Sequence, residues 1–305
     1  MSFSGEVKRE LCRQEFGHKN CIQAEAYGVL LYCNTFTANE IRIVTESQEF
    51  GRRLPILFKK AFHIDFDRRP EIMKEGGKQN FQITDPYKLD VIFDTYGIDP
   101  GGVVAHHINF AVLEEECCRA SFFRGAFLAG GSVTDPEKRY HLELFTSHFN
   151  VSREMRTLML EADFLPKETS RKSNYVIYFK QSESIEDFLT AIGAPLAAME
   201  VMNAKVEKNL RNGVNRRVNC DSANLSKAVD AAQEQLEAIR LLERTAGLPE
   251  LPDKLAEAAV LRRENPELTL SQLAELFDPP ITKSALNHRL RKLIALAEKA
   301  KGDKL

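Results

Sequence analysis

Along the first two hundred residues the alternation of apolar and polar positions runs through one cycle twice. "CIQAEAYGVLLYCNT" (21–35) is a dense run of small and apolar residues that reads as a buried helix. "CRASFFRGAFLAGGS" (118–132) repeats it, with Cys118 falling on Cys21 and Gly125 on Gly28 at one common offset. "IRIVTES" (41–47) and "LELFTSH" (142–148) carry β-branched and aromatic residues with period 2, the signature of strands. "RRLPILFKKAF" (52–62) and "REMRTLMLEADF" (153–164) return to helical spacing, and "KQNFQI" (78–83) and "KSNYVI" (172–177) are strand-like again. "VIFDTYGI" (91–98) and "EDFLTAIGA" (186–194) each close a helix with glycine just past its end. Five paired segments in the same order predict a duplicated α+β unit, each copy running helix, strand pair, helix, strand pair, helix.

Two such copies packed about a pseudo-two-fold axis place their opening helices on that axis. Glycine inside a helix costs up to ~1 kcal/mol relative to alanine, so Gly28 and Gly125, with Ala129 beside the second, predict a close approach of two backbones. Outward strand positions are mixed: Arg42 and Glu46 in the first copy, His141, Glu143 and His148 in the second. That pattern is a solvated polar face rather than a basic stripe.

Past residue 194 the pattern becomes wholly helical. "APLAAMEVMNAKVEKNL" reads as a helix, and "RNGVNRRVN" (211–219), with Gly213 and several asparagines, reads as a turn or hinge. This stretch carries Lys205, Lys208, Arg211, Arg216 and Arg217 against Glu207 alone, which makes Arg216 and Arg217 phosphate-contact candidates. From Ser222 to Arg244 the apolar positions Leu225, Val229, Ala232, Leu236, Ile239 and Leu242 recur at helical spacing, and "AGLPELP" ends that helix. Then come "DKLAEAAVLRREN", "TLSQLAELF" with Thr269 and Gln272 in capping-box spacing, a "DPP" turn, and "ITKSALNHRLRKLIALAEKA". A short helix, a tight turn and a longer basic helix make a helix-turn-helix.

In the last helix Ile281, Leu286, Leu290, Leu293, Ile294 and Leu296 form the apolar stripe. Lys283, Ser284, Asn287, His288 and Arg291 populate the other side, and Arg289 and Lys292 add to its charge. Asparagine and arginine suit adenine and guanine edges, and Thr282, Lys283 and Ser284 open the helix, where free N–H groups favour a phosphate. From residue 281 to 305, Lys and Arg outnumber Asp and Glu by seven to two. The DNA-contact candidates are therefore Thr282, Lys283, Ser284, Asn287, His288, Arg289, Arg291, Lys292, Arg216 and Arg217.

Bulk numbers add boundaries rather than detail. At 305 residues about two domains are expected. With a formal net charge of −2, any DNA-binding surface has to come from local asymmetry. "MSFSGEVKREL" lacks the apolar core of a signal peptide, and no run reaches the ~18 apolar residues of a membrane span. A cytoplasmic, nucleoid-associated location without membrane contact is expected. The six cysteines show no CxxC pair, which predicts reduced thiols. His106-His107 and Cys117-Cys118 invite a zinc reading, but adjacent residues rarely converge on one ion. No metal and no cofactor are expected.

The two-copy pattern with "RGAFLAGGSV" (124–133) resembles the LAGLIDADG homing-endonuclease fold. Together with "MSFSGEVKREL", "NCDSANLSKAVDAA" (219–232) and "ITKSALNHRLRKL" (281–293), nearly the whole chain resembles the WhiA family of sporulation and cell-division regulators. The resemblance implies a degenerate LAGLIDADG-like domain at 1–195, with pseudo-repeats at about 1–100 and 101–195. It also implies a helical basic linker at 196–220 and a helix-turn-helix DNA-binding domain at 221–305. Homing endonucleases end each central helix on a carboxylate that holds a divalent metal. Carried onto this chain, those positions fall on Cys33 and Gly130, neither a hard oxygen ligand. Asp135 and Glu40 lie nearby but off the symmetric positions.

The implied function is a non-enzymatic, sequence-specific regulator of transcription, bound to double-stranded promoter DNA and serving sporulation, cell division or chromosome segregation. For some family members a second regulator bearing an iron–sulfur cluster is implied as partner. The residues leave two alternatives: an active metal-dependent endonuclease, and an adaptor for a protein or small ligand.

Overall fold

The computed structural model describes residues 2–70, 77–99, 105–245, 247 and 250–302. It divides into two compact units, Met1–Asn209 and Leu210–Leu305. The first opens with a helix the sequence reading did not single out, α1 (Phe3–Arg13), which buries Phe3, Val7 and Leu11 on one stripe and is capped by Ser2. The first copy follows as α2 (Lys19–Tyr32), β1 (Thr35–Thr37), β2 (Glu40–Thr45), α3 (Gln48–Phe62), β3 (Gln79–Ile83) and α4 (Pro86–Tyr96). The second copy is α5 (Glu116–Gly130), β4 (Gly131–Val133), β5 (Leu142–Thr146), α6 (Phe149–Glu161), β6 (Lys167–Arg171), β7 (Asn174–Phe179) and α7 (Ser182–Ile192).

The second copy has the expected order, with strands arranged β4-β5-β7-β6 and antiparallel throughout. In the first, the described sheet is β1-β2-β3. Among the described residues the expected partner of β3 is represented by a single bridge between Arg68 and Gln82. Residues 71–76 lie outside the described part. Gly97 and Gly193 close α4 and α7 in the left-handed conformation, at φ 64° and 99°, as the sequence pattern required.

α2 and α5 pack against each other more extensively than any other pair of elements. A Cβ at Gly28 would lie 2.1 Å from the Phe122 carbonyl oxygen, and one at Gly125 would lie 2.0 Å from that of Glu25. The two helices therefore cross backbone to backbone at the duplicated glycines. Around that crossing lies a buried ion cluster. Arg53 grips Glu25 bidentately at 2.6 and 2.9 Å and donates to the carbonyls of Cys12 and Gln14, while its guanidinium stacks on Phe16. Arg124, the arginine of "RGAFLAGGSV", sits 3.4 Å from Glu25 and donates to the Ile192 carbonyl at the end of α7. Glu25 and Arg53 are 2% and 5% exposed, so the carboxylate at the centre of the fold is matched by two guanidiniums.

The helix α8 (Pro195–Thr245) runs unbroken for 51 residues. The turn or hinge expected at 211–219 does not form. No proline falls between Pro195 and Pro249, and one exposed glycine costs less than the surrounding helix formers supply. Leu225 and Val229 of the expected apolar stripe are exposed; α8 packs into the first unit's core at its start, through Ala197, Ala198 and Val201, and into the second core from Gln235 onward, through Ala238, Ile239 and Leu242. Gly247, at φ 80°, donates to the Leu242 carbonyl and ends the helix, while Ala246, Leu248 and Pro249 lie outside the described residues.

Candidate nucleic-acid interface

The second unit is built on α9 (Asp253–Glu264), α10 (Leu270–Glu275) and α11 (Lys283–Gly302). Thr269 and Gln272 form the expected capping box at the start of α10. Leu273 and Ala274 of α10, Leu286, Leu290, Leu293 and Ala297 of α11, Leu255, Ala258 and Ala259 of α9, and the end of α8 share one core. Arg262 is buried in it, donating to Gln235 Oε1 at 2.8 Å and to the Leu268 carbonyl at 2.7 Å, and so ties α8 to the turn before α10.

That packing fixes which face of α11 is free. Lys283, Ser284, His288, Arg291 and Lys292 are exposed and Asn287 half-buried, all on the side away from the leucine stripe. Thr282 caps the helix, its hydroxyl accepting from the Ala285 N–H at 3.2 Å. Arg289 is different. Its guanidinium lies over Phe277 at 5.1 Å and beside Glu257 of α9 at 3.3 Å, so it belongs to the packed flank rather than the open face. The period of the helix places it there: Arg289 follows Leu286 and precedes Leu293 on the inward side.

In the first unit the C-terminal ends of the two central helices also have definite surroundings. Gly130 is the last residue of α5 and Cys33 caps α2. A Cβ at Gly130 would meet the Phe145 carbonyl oxygen at 2.6 Å and Tyr32 Cδ1 at 3.0 Å, so no side chain fits there without a shift. Cys33 Sγ lies 3.1 Å from the carbonyls of Leu30 and Thr35, and burial pushes its pKa up to about 12, which keeps it a neutral thiol. Glu40, the first residue of β2, accepts from Gln82 Nε2, and Asp135, past β4, accepts from the Glu137 N–H.

A cation missed by the sequence reading stands at the same end. Lys8 of α1 donates from Nζ to the Leu128 carbonyl at 3.0 Å, among the last carbonyls of α5, where the helix dipole favours positive charge. Burial lowers its pKa to about 8. Lys8 lines a cleft of about 740 Å³ with Asn34 and Ala129, the neighbours of Cys33 and Gly130, and with Glu46, Glu49 and Lys78.

Comparison with known proteins puts both halves in one family. The WhiA LAGLIDADG-like domain matches residues 119–211, and the WhiA C-terminal HTH domain matches residues 214–297. A "Probable cell division protein WhiA" of Ruminiclostridium cellulolyticum is 39% identical over 98% of either chain. Its namesake in Staphylococcus haemolyticus is 37% identical over 100% of this chain and 99% of its own. The chain belongs to the WhiA family. Among solved structures, full-length DUF199/WhiA from Thermatoga maritima matches with a TM-score of 0.60 at 25% identity, covering 98% of this chain and 99% of that one. The N-terminal LAGLIDADG domain of DUF199/WhiA matches at a TM-score of 0.50 and 22% identity over 63% of this chain and 92% of its own, a likeness of fold.

In this WhiA chain the remaining sequence-derived residues scatter. Arg216 and Arg217 are exposed on α8. Of the other basic residues there, Lys205 pairs with Glu183, and Lys208 donates to the Pro136 carbonyl and lies over the Tyr140 ring, so both are spent inside the first unit. On the second sheet Glu143 is matched by His141 at 3.0 Å and Arg171 at 3.1 Å, and on the first Arg42 rests on Thr35. His148 is not an outward strand residue. It is the N-cap of α6, its ring against His106 at 4.6 Å, and burial lowers its pKa to about 4. His107 turns instead to Glu154, at 2.7 Å. No helix among the described residues is long and apolar enough to cross a membrane.

Proposed function

We propose that this WhiA chain is a sequence-specific DNA-binding regulator that does not cut DNA. The observation that carries the reading is the open face of α11: Lys283, Ser284, Asn287, His288, Arg291 and Lys292 face solvent together at the N-terminal half of a helix whose other side is locked in a core. A recognition helix presents this half to a major groove. Arg291 and Asn287 have the chemistry for guanine and adenine edges. Lys283, Lys292 and the N–H groups behind Thr282 suit phosphates. Arg216 and Arg217 add backbone contacts from α8. Arg289 holds α9 to α11 and is left out of the readout.

The lack of cutting rests on the helix ends. Neither Cys33 nor Gly130 supplies a carboxylate, and Lys8 brings an ammonium group to the cleft they border. The naming of relatives as cell division proteins supports a role in division; control of division genes at promoter DNA in the cytoplasm, on the nucleoid, with chromosome segregation and sporulation as linked outputs, is the setting of this reading.

Mapping of the full chain on its chromosome supplies the binding sites. In gel shifts on those sites, Asn287→Ala and Arg291→Ala each lose ~1–3 kcal/mol of specific affinity. Lys292→Ala weakens all sequences about equally and lowers the salt slope by about one. Unchanged affinity in both of the first two variants overturns the assignment of α11. Magnesium-dependent nicking of supercoiled plasmid that EDTA abolishes overturns the non-enzymatic reading.

A further inference from the structure

We propose that His18, Cys21, Cys117 and Cys118 bind a zinc ion that staples the two copies of the LAGLIDADG-like unit at the starts of their central helices. His18 is the N-cap of α2 and Cys21 lies in its first turn; Cys117 and Cys118 lie in the first turn of α5. The chain brings them together from sites about a hundred residues apart. His18 Nε2 lies 3.3 Å from Cys117 Sγ, and Cys21 Sγ lies 3.9 Å from Cys118 Sγ. The donor atoms of His18, Cys21 and Cys117 are all within 4.8 Å of one another.

The 3.3 Å and 3.9 Å pairs match two edges of a tetrahedral site, and Cys118 joins the three-residue cluster through Cys21. Zn–S bonds of ~2.3 Å and Zn–N bonds of ~2.0–2.1 Å put sulfur–sulfur edges at about 3.8 Å and sulfur–nitrogen edges at about 3.5 Å. Three sulfurs and an imidazole form a Cys₃His set, which selects zinc over the hard cations that take oxygen. Core packing accounts for Cys21 and Cys118, which are buried, but not for Cys117 and His18, which are exposed and still turned onto the same spot. Both helix N-termini converge here. On binding, the thiol protons leave to solvent as the Zn–S bonds form. Glu115 Oε2, 3.6 Å from His18 Nε2 and 3.4 Å from Cys117 Sγ, is the carboxylate beside the set.

The site lies at the opposite end of α2 from Cys33, since α2 rises about 18 Å between Cys21 and Cys33. Its role is therefore structural: it closes the chain between the two copies at the end of the helix pair that Gly28 and Gly125 leave open.

The test uses the full chain, reduced and stripped of metal. Cobalt(II) titration is expected to give one equivalent of the intense visible bands of tetrahedral thiolate cobalt, displaced by zinc. Zinc should raise the melting temperature of the first unit. Cys117→Ser and His18→Ala change exposed side chains and should keep the far-ultraviolet spectrum, yet weaken cobalt binding by more than the roughly 10–100-fold that an outer-shell change costs. Cys220→Ser, on exposed α8, should bind as wild type does. Absence of thiolate–cobalt bands in the reduced, folded protein overturns the proposal, as do bands that persist unchanged in Cys117→Ser.

Discussion

Gly125→Ala tests the central packing argument, because helix propensity and tertiary contact predict opposite signs. Inside an ordinary helix the change gains up to ~1 kcal/mol. Here the new Cβ would lie 2.0 Å from the Glu25 carbonyl oxygen and 3.1 Å from the Val29 nitrogen, both backbone atoms that cannot rotate away. An ordinary carbon–oxygen contact needs more than 3 Å, so α2 and α5 must separate by about an ångström. A gap of 0.5–1 Å already forfeits a quarter to a half of each dispersion contact, and the facing surfaces carry Ala24, Tyr27, Leu31, Phe122 and Ala126, all essentially fully buried. Overpacking of this kind costs about 1–3 kcal/mol and more where backbone is the obstacle, so a net loss of ~2–4 kcal/mol remains after the propensity gain. At ~2–4 °C per kcal/mol for a unit of this size, melting should fall by roughly 5–15 °C. The chain's seven tyrosines all lie before residue 179, so tyrosine near-ultraviolet dichroism follows the first unit alone. Gly213→Ala is the control. Its Cβ meets nothing within 4 Å, and it should stabilise α8 slightly. A Gly125→Ala protein as stable as wild type would refute the close-approach reading.

Three further outcomes follow from contacts already described. Glu25→Gln leaves Arg53 and Arg124 facing a neutral amide in a buried site, and urea unfolding of the first unit should show a loss of ~3–5 kcal/mol. On acidification the first unit should weaken between about pH 6.5 and pH 4. His148 has a folded pKa of about 4 against 6.5 when free, so the unfolded chain takes up the proton first, and stability present above 6.5 drains away below it. His148→Phe should flatten that limb of a pH–melting curve. Arg289→Ala should lower the melting point of the second unit while leaving sequence preference in gel shifts unchanged, because its guanidinium serves Phe277 and Glu257.

Periodicity and repetition carried the architecture well. The strand segments, the glycine-closed helices α4 and α7, the paired glycines of the central helices and the capping box at Thr269 all depend on local patterns, and local patterns are visible in one dimension. What stayed hidden depends on distance. Glu25, Arg53 and Arg124 look like three scattered surface charges until the helices cross. Lys8 is one lysine in a polar opening segment until α1 folds against the end of α5; the helical spacing of Phe3, Val7 and Leu11 is the signal that could have found the helix. The histidine–thiol cluster escaped because adjacent cysteines were weighed as a pair, whereas the donors meet across the two copies. The hinge at Gly213 was a misreading of propensity: an exposed glycine among strong helix formers weakens a helix without ending it.

The separation of scaffold from chemistry explains how this fold can persist without a nuclease's acids. Backbone contact at Gly28 and Gly125 holds the central helices together from their middles, and the Glu25 cluster locks α1, α3 and α7 onto the same crossing. Neither feature involves the helix tips, so the absence of a carboxylate at Cys33 and Gly130 costs no packing. Tyr32 and the Phe145 carbonyl close around Gly130, and Lys8 satisfies a terminal carbonyl of α5. The packing at Gly130 opposes an acid at that position, since a side chain there meets backbone at 2.6 Å. Packing at the tips thus favours a filled scaffold over an open cation site, whereas the outer face of α11 is left open by the core that holds its leucine stripe.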